Sequence, residues 1–531
     1  MATWWRCNAG LLAMVVAVAA GCSRPTEVAP PPLAASAPAP QAEAARLGVA
    51  WQHAANEAEV DAAFARAKAA RQPVFVYWGA DWCPPCNQVK ATLFNRQDFI
   101  ERSRAFVPVY IDGDSPGAQK LGARFKVRGY PTMVLFSPGG EEITRLPGEV
   151  DAQQYTQLLT LGLSAQRPVK AVLADARAGG QGLSANDWRL LAFYSWATDE
   201  QQQVVPPKQL PALLKQLADA CPSEAAGACT RLFLQAWAAS EPQASPDPAA
   251  RERLLAVLRQ AEPSRVHMDV LSNNAVELTR ALSSPKTPQR QQLVDAYDAS
   301  LAGLANDATL SRADRLGALI ARTQLARLDA PAKTQPAVPA ALLTDVREHV
   351  AQADRETTNG YERQVVIPTA AYLLEQAGAG DESDRLLQSN LASSPSAYYL
   401  MLGLAGNAKR RGDTAAALRW YEQAFERSEG PATRLQWGAT YVTALVDLAP
   451  QDEARIEKVV QQLINEAAAQ PDVFYERSAR SLQRVSDKLL AWKGHAAALK
   501  RLKTQLAAVC AGLPAGDGQR EVCDGLLRPR A

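Results

Sequence analysis

Hydrophobic and polar positions change their rhythm twice along this chain. A single apolar stretch of about ten residues, Leu11 to Ala20, gives way to a Pro/Ala-rich segment without periodicity that lasts to about residue 47. From Trp51 onward short apolar runs alternate with helical spacing. Glu57 to Ala70 is alanine-rich and predicts a helix that Pro73 ends. Val74-Phe75-Val76-Tyr77-Trp78 is β-branched and aromatic throughout and predicts a buried strand. Phe106 to Ile111 predicts a second strand, and Thr132 to Phe136 a third, closed by the turn Ser137-Pro138-Gly139-Gly140. Glu142 to Arg145 reads as a short strand and Asp151 to Leu163 as a terminal helix. Strands alternating with helices imply an α/β sheet. After about residue 166 the strand signal vanishes, and helical spacing runs to the end with breaks at Gly179–Gly182, Ser240–Pro248 and Ala330–Pro339.

Length and composition bound this picture. At 531 residues the chain predicts about three or four compact units. Apolar residues are 47% and charged residues 21%, enough for sizeable cores, and a net charge of +2 gives no electrostatic case for nucleic acid. The N-terminus has a different logic. Arg6 precedes an apolar stretch too short to span a bilayer, as in a signal peptide. The stretch ends in Ala19-Ala20-Gly21-Cys22, which resembles the lipobox of bacterial lipoproteins. That resemblance implies lipidation of Cys22 as the mature N-terminus, and Ser23 in place of the retention signal Asp favours the outer membrane. The alternative is an ordinary signal peptide cut at a small-residue triplet within residues 34–39. The Pro/Ala-rich stretch up to residue 47 predicts an extended tether, with a reach on the order of 70 Å at roughly 3 Å per residue.

Beyond Cys7 and Cys22, six cysteines fall into three close pairs: Cys83/Cys86, Cys221/Cys229 and Cys510/Cys523. In an oxidising compartment the last two pairs predict local structural disulfides. The alternative for them is buried free thiols. The first pair is different, because Trp82-Cys83-Pro84-Pro85-Cys86 directly follows a predicted buried strand and opens a helix through Val89, Leu93 and Phe94. Two cysteines three apart at a helix start face each other. The free N–H groups and helix dipole there favour an anionic sulfur. Cys83 is then the expected exposed nucleophile and Cys86 the resolving thiol, catalysing thiol–disulfide exchange. Zinc needs ligands in fours, and His53 stands alone in this region, so no metal is expected.

Residues 72–163 resemble thioredoxin, and Val127-Arg128-Gly129-Tyr130-Pro131-Thr132 resembles the segment that carries the family's cis-proline. The resemblance implies that Pro131 is cis beside the cysteines. It also implies that the Tyr130 backbone, with Trp82, forms the groove that receives a substrate chain, and that Gly148 lies at that groove. Tyr130 resembles protein disulfide isomerase at this position, and the long helix after the site resembles the C-terminal domain of the reductase DsbD. The departures are informative. Thioredoxins carry a buried acid six residues before the first cysteine, paired with a lysine on the next strand, and here Tyr77 and Pro108 occupy those places. Near the C-terminus Gly380-Asp381 and Gly412-Asp413 recur 32 residues apart. Ala417, Leu418, Tyr421 and Ala424 are spaced as in the second helix of a tetratricopeptide repeat, with a thinner match at Leu386, Leu391, Ala392 and Pro395.

These readings predict an α/β thioredoxin fold followed by a large all-α, partly repeat-like domain. The expected divisions are a lipoprotein signal peptide at 1–21, a tether at 22–47, a thioredoxin-like domain at 48–165 and a helical domain at 166–531, repeat-like in 370–430. The expected function is thiol–disulfide exchange in exported proteins, in the reductase or isomerase direction, from a lipid anchor facing the periplasm. No cofactor beyond the Cys83–Cys86 disulfide is expected. No Gly-rich flavin or nicotinamide motif is present, so electrons must come from a membrane or periplasmic donor protein. The alternative is a helical-repeat scaffold or assembly lipoprotein whose thioredoxin domain tethers clients.

Overall fold

Asn56 opens the first helix by accepting a hydrogen bond from the backbone N–H of Glu59, and Arg71 closes it in a left-handed conformation. This helix, α1 (Glu57–Ala70), belongs to a computed structural model that describes residues 48–146, 151–165, 167–196, 204–242, 245–331 and 336–528. Cys22, the expected leader and tether, and Gly148 lie outside the described residues.

Five strands make one mixed sheet: β1 (Gln52–His53), β2 (Val74–Gly79), β3 (Val107–Asp112), β4 (Thr132–Phe136) and β5 (Glu142–Leu146). Their order is β1-β3-β2-β4-β5, parallel among the first three and antiparallel at β2/β4 and β4/β5. The two-residue β1 carries too short a pattern to be expected from sequence. Successive side chains point to opposite faces. Val74, Val76 and Trp78 therefore pack with α1 and with α4 (Ala118–Phe125), while Phe75 and Tyr77 pack under the cysteine-bearing helix α2 (Pro84–Val89). Both faces are covered, which is why β2 reads as an unbroken apolar run. Beyond α2 the chain continues as a π-helical turn, Lys90–Phe94, then α3 (Gln97–Arg102), and α5 (Ala152–Ser164) follows β5. Arg145 on β5 is buried. Its guanidinium pairs with Glu142 and donates to the terminal carbonyls of α4 at Phe125 and Lys126.

The core does not break after α5. The layer under Phe75, Tyr77 and Met133 continues through Leu158 and Leu159 into Val172, Trp188, Leu191, Tyr194 and Leu232. Residues Leu47–Ala531 pack as one compact unit, without a division in the core at 165/166. No strand follows Leu146 among the described residues; the remaining elements are helices. Disulfides join Cys221 to Cys229 and Cys510 to Cys523, with Cα separations of 5.4 and 5.6 Å. Each ties the end of one helix to the next. No helix among the described residues is long and apolar enough to cross a membrane.

The helical region turns back onto the thioredoxin-like part. Helix Gly360–Gln376 packs on α2, helix Glu476–Leu490 packs on α4, and the first turn of Pro431–Leu448 bonds to the loop after β3. That return decides what surrounds the cysteines.

Candidate active site

Cys83 caps α2. Its sulfur accepts from the backbone N–H of Cys86 at 3.2 Å, its carbonyl accepts from Asn87 N–H, and the two prolines occupy the first helical positions, where no intrahelical N–H is needed. The two cysteines form a disulfide with Cα atoms 5.2 Å apart. The peptide bond Tyr130–Pro131 is cis, and Tyr130 and Trp82 pack with ring centroids 5.9 Å apart. The local fold thus brings Trp82, Cys83, Cys86, Tyr130 and Pro131 together. When reduced, the Cys83 sulfur lies at the positive end of this helix and within reach of the Cys86 N–H, which favours its thiolate.

Cys83, expected to be exposed, is only 2% exposed, and Cys86 is fully buried. The cause is a roof from the helical region. Trp437 meets Trp82 edge-on at 5.0 Å, Tyr399 stacks on it at 6.1 Å, and the Arg477 guanidinium lies 4.6 Å from its ring centroid. Asp114, in the loop after β3, ties the layers together. One carboxylate oxygen accepts from Trp82 Nε1 at 2.7 Å and Thr433 Oγ1 at 2.5 Å. The other accepts from Thr433 N–H at 2.8 Å and from Arg477 at 3.2 Å. Gly430 permits this approach. It sits at φ +83°, and a Cβ there would come within 2.7 Å of the Asp114 side chain. On the other flank Asn87 donates to Gln364 at 3.0 Å and Gln88 to Asp314 at 2.8 Å. Burial pushes the Asp314 carboxyl up, against the hydrogen bonds from Ser311 and Gln88.

None of these roof residues carries a sequence signal. Arg477 and Asp114 are 363 positions apart, and aromatic residues at helical spacing read as ordinary core. Asp114 had a weak signal, as a polar residue just past the carboxyl end of a strand beside the site.

Behind the cysteines the polar groups are rearranged. Tyr77 replaces the family's buried acid, and its hydroxyl is buried without a hydrogen-bond partner. Pro108 lies opposite Phe75 in the strand register; the residue opposite Tyr77 is Tyr110, whose ring stacks on it at 5.1 Å. Burial raises both phenols well above the ordinary tyrosine range, so neither is a proton acceptor near neutrality. The cation comes from α2's continuation instead: Lys90 pairs with Asp81 at 2.6 Å and lies over the Tyr110 ring. Asp112, at the end of β3, is a half-buried carboxyl of this region. Burial, with the charges of Asp114 and Asp81, pushes it up to about 6, against the Asp114 N–H and Lys90.

The Asp112 shift has a testable sign. A carboxyl raised in the folded state is bound to its proton more tightly there than in the unfolded chain. Stability is thus full below about pH 4 and falls as the pH rises through 6. Asp112→Asn, which mimics the protonated form, should match wild type near pH 4 and exceed it at pH 7.5 by at most about 3 kcal/mol. Urea melts at the two pH values check this; a gain of equal size at both would contradict it.

Comparison with known proteins fits the geometry. A family model described as a thioredoxin-like domain matches residues 60–162. Thioredoxin 1 of Chlorobaculum tepidum is 34% identical over 85 residues, 16% of this chain and 79% of that protein. The chain belongs to the thioredoxin family. It is also similar to the thiol:disulfide interchange proteins DsbD 1 and DsbD 2 of Pseudomonas aeruginosa. DsbD 1 is 31% identical over 132 residues, 24% of this chain and 22% of that protein. DsbD 2 is 32% identical over 147 residues, 26% of this chain and 24% of that protein. The chain therefore spans under a quarter of the length of these DsbD relatives. The helical roof over the cysteine pair comes from residues outside the segment 60–162 that the family model matches.

Proposed function

We propose that this chain is a thiol–disulfide oxidoreductase for exported proteins, working in the reductase or isomerase direction. The observation that carries this reading is the Cys83–Cys86 pair at the start of α2, in a thioredoxin-family domain whose Tyr130-Pro131 segment lies against Trp82. The reduced Cys83 thiolate attacks a client disulfide, forming a mixed disulfide and releasing one client sulfur, which takes a proton from solvent. The Cys86 thiolate then attacks the Cys83 sulfur, releasing the second client thiol and re-forming Cys83–Cys86. Two electrons pass to the client, and a donor protein restores the dithiol.

The similarity to DsbD, whose name states thiol:disulfide interchange, supports the exchange chemistry. The pairing of Cys221–Cys229 and Cys510–Cys523 supports an oxidising compartment, and the lipobox-like Ala19-Ala20-Gly21-Cys22 supports a lipid anchor facing the periplasm. On this reading the repeat-like helices around residues 370–430 hold the client near the cysteines. The test is client capture by the full chain. Cys86→Ser should retain clients through bonds that dithiothreitol releases, and replacing both cysteines by Ala should abolish retention. Retention that survives the double Ala change would overturn the exchange reading in favour of a scaffold.

A further inference from the structure

The route to Cys83 is a cleft of about 340 Å³ whose rim is basic. Its floor is Trp82, Cys83, Pro84 and Pro85, and Tyr130 and Tyr399 form walls. Arginines 128, 477, 480 and 484 line the same space, three of them from the single helix Glu476–Leu490. Two have fixed carboxylate partners: Arg477 is bonded to Asp114 at 3.2 Å and Arg480 to Glu476 at 2.6 Å. Arg484 has no carboxylate partner among the described residues, and its guanidinium lies 3.5 Å from Ser481 Oγ. Partial burial lowers its pKa, and the charges of Arg477 and Arg480 add to that. No acidic residue lines this cleft. Arg484, beside a reactive sulfur and without a carboxylate partner among the described residues, complements an anion brought in with the substrate.

With Cys83 almost fully covered, a disulfide on the face of a folded protein cannot meet its sulfur. The group that enters must be carried on an extended segment or a small molecule. We propose that the cleft selects disulfides whose cysteine is flanked by carboxylates on an extended acidic peptide segment, with Arg484 receiving a carboxylate while Cys83 attacks the sulfur. This rests on the exchange reading above and names its substrate class.

The experiment uses the full chain, reduced with dithiothreitol and freed of excess dithiol. It is mixed with disulfide-linked peptides identical except for Glu, Gln or Lys on both sides of the cysteine. Formation of Cys83–Cys86 is followed by acid quench, alkylation and mass spectrometry. The Glu peptide should react roughly fivefold to tenfold faster than the Lys peptide at low ionic strength, with Gln between them. Raising the salt to about 0.5 M should collapse the difference. Arg484→Gln should reduce the Glu-to-Lys ratio severalfold. Equal rates for the three peptides, or a ratio indifferent to both salt and Arg484→Gln, would overturn the proposal. Neutral 2-hydroxyethyl disulfide separates the two levels. If it oxidises the pair while the peptides show no charge preference, only the acidic-substrate proposal fails; if no disulfide oxidises the pair, the exchange reading fails with it.

Discussion

Asp114→Ala should lower the unfolding free energy by roughly 3–5 kcal/mol and open the cysteine site. The carboxylate and the Arg477 guanidinium are 10% and 7% exposed, so each is desolvated and relies on the other. Removing Asp114 leaves a buried cation with only Gln436 and Thr433 as bonded neighbours. It also strips the Trp82 indole N–H and the Thr433 N–H and hydroxyl of their acceptor. The protein can relieve that cost by letting the first turns of Pro431–Leu448 and Glu476–Leu490 move away from Trp82, which uncovers Cys83. Chemical melts should show the stability loss, and iodoacetamide should alkylate reduced Cys83 faster than in wild type. Thr433→Val, which removes one neutral partner and leaves the ion pair, should cost only about 1 kcal/mol. An Asp114→Ala chain with wild-type stability and wild-type Cys83 reactivity would contradict the account of the roof.

The second large effect separates the two cysteines. Cys83→Ser removes the sulfur that sits at the floor of the cleft and accepts the Cys86 N–H, so exchange with any disulfide should fall to the uncatalysed level. Cys86→Ser leaves the attacking sulfur in place and removes the one that resolves the intermediate. Its first half-reaction should proceed and then stop at a mixed disulfide. Cys83 is covered by the roof, so external thiols should resolve that adduct slowly. Mass spectrometry after mixing with a peptide disulfide reads both outcomes. A stable adduct on Cys86 in the Cys83→Ser chain would reverse the assigned roles.

Much of the thioredoxin part was legible because local chemistry and global fold agree there. Val74–Trp78 and Thr132–Phe136 are strands buried on both faces, which their unbroken β-branched and aromatic runs announce. Glu57–Ala70 is delimited by Asn56 as cap and by Pro73 beyond it. The cysteine pair was legible for a different reason, because its residue type and spacing carry the chemistry, and Tyr130-Pro131 through the resemblance of its segment to thioredoxin. What escaped was the environment. Tyr110 faces Tyr77 because the parallel register pairs them, and register is invisible until strands are aligned. The roof of Tyr399, Thr433, Trp437 and Arg477 comes from sequence hundreds of positions away, and a buried Arg on a helix face looks like a solvated one. For the same reason the loss of the strand signal after residue 166 does not reveal that the core under Phe75 continues into the helices up to Leu232.

The roof also changes what the site can meet. An open thioredoxin groove accepts a protein surface, whereas a covered one admits only what fits its cleft. Under the proposed function, substrate choice is held largely by the helical region, through the residues that cover Trp82.

The central claim is that Cys83 and Cys86 form a working redox couple inside this covered site. Equilibrating the full chain with glutathione buffers, and counting free thiols at Cys83 and Cys86 after acid quench, tests it most directly. The account predicts one reversible two-electron transition at or below about −230 mV, toward the thioredoxin end of the scale. A midpoint near about −120 mV would contradict the reductase direction, and a pair that stays oxidised or stays reduced across the whole range would contradict the claim itself.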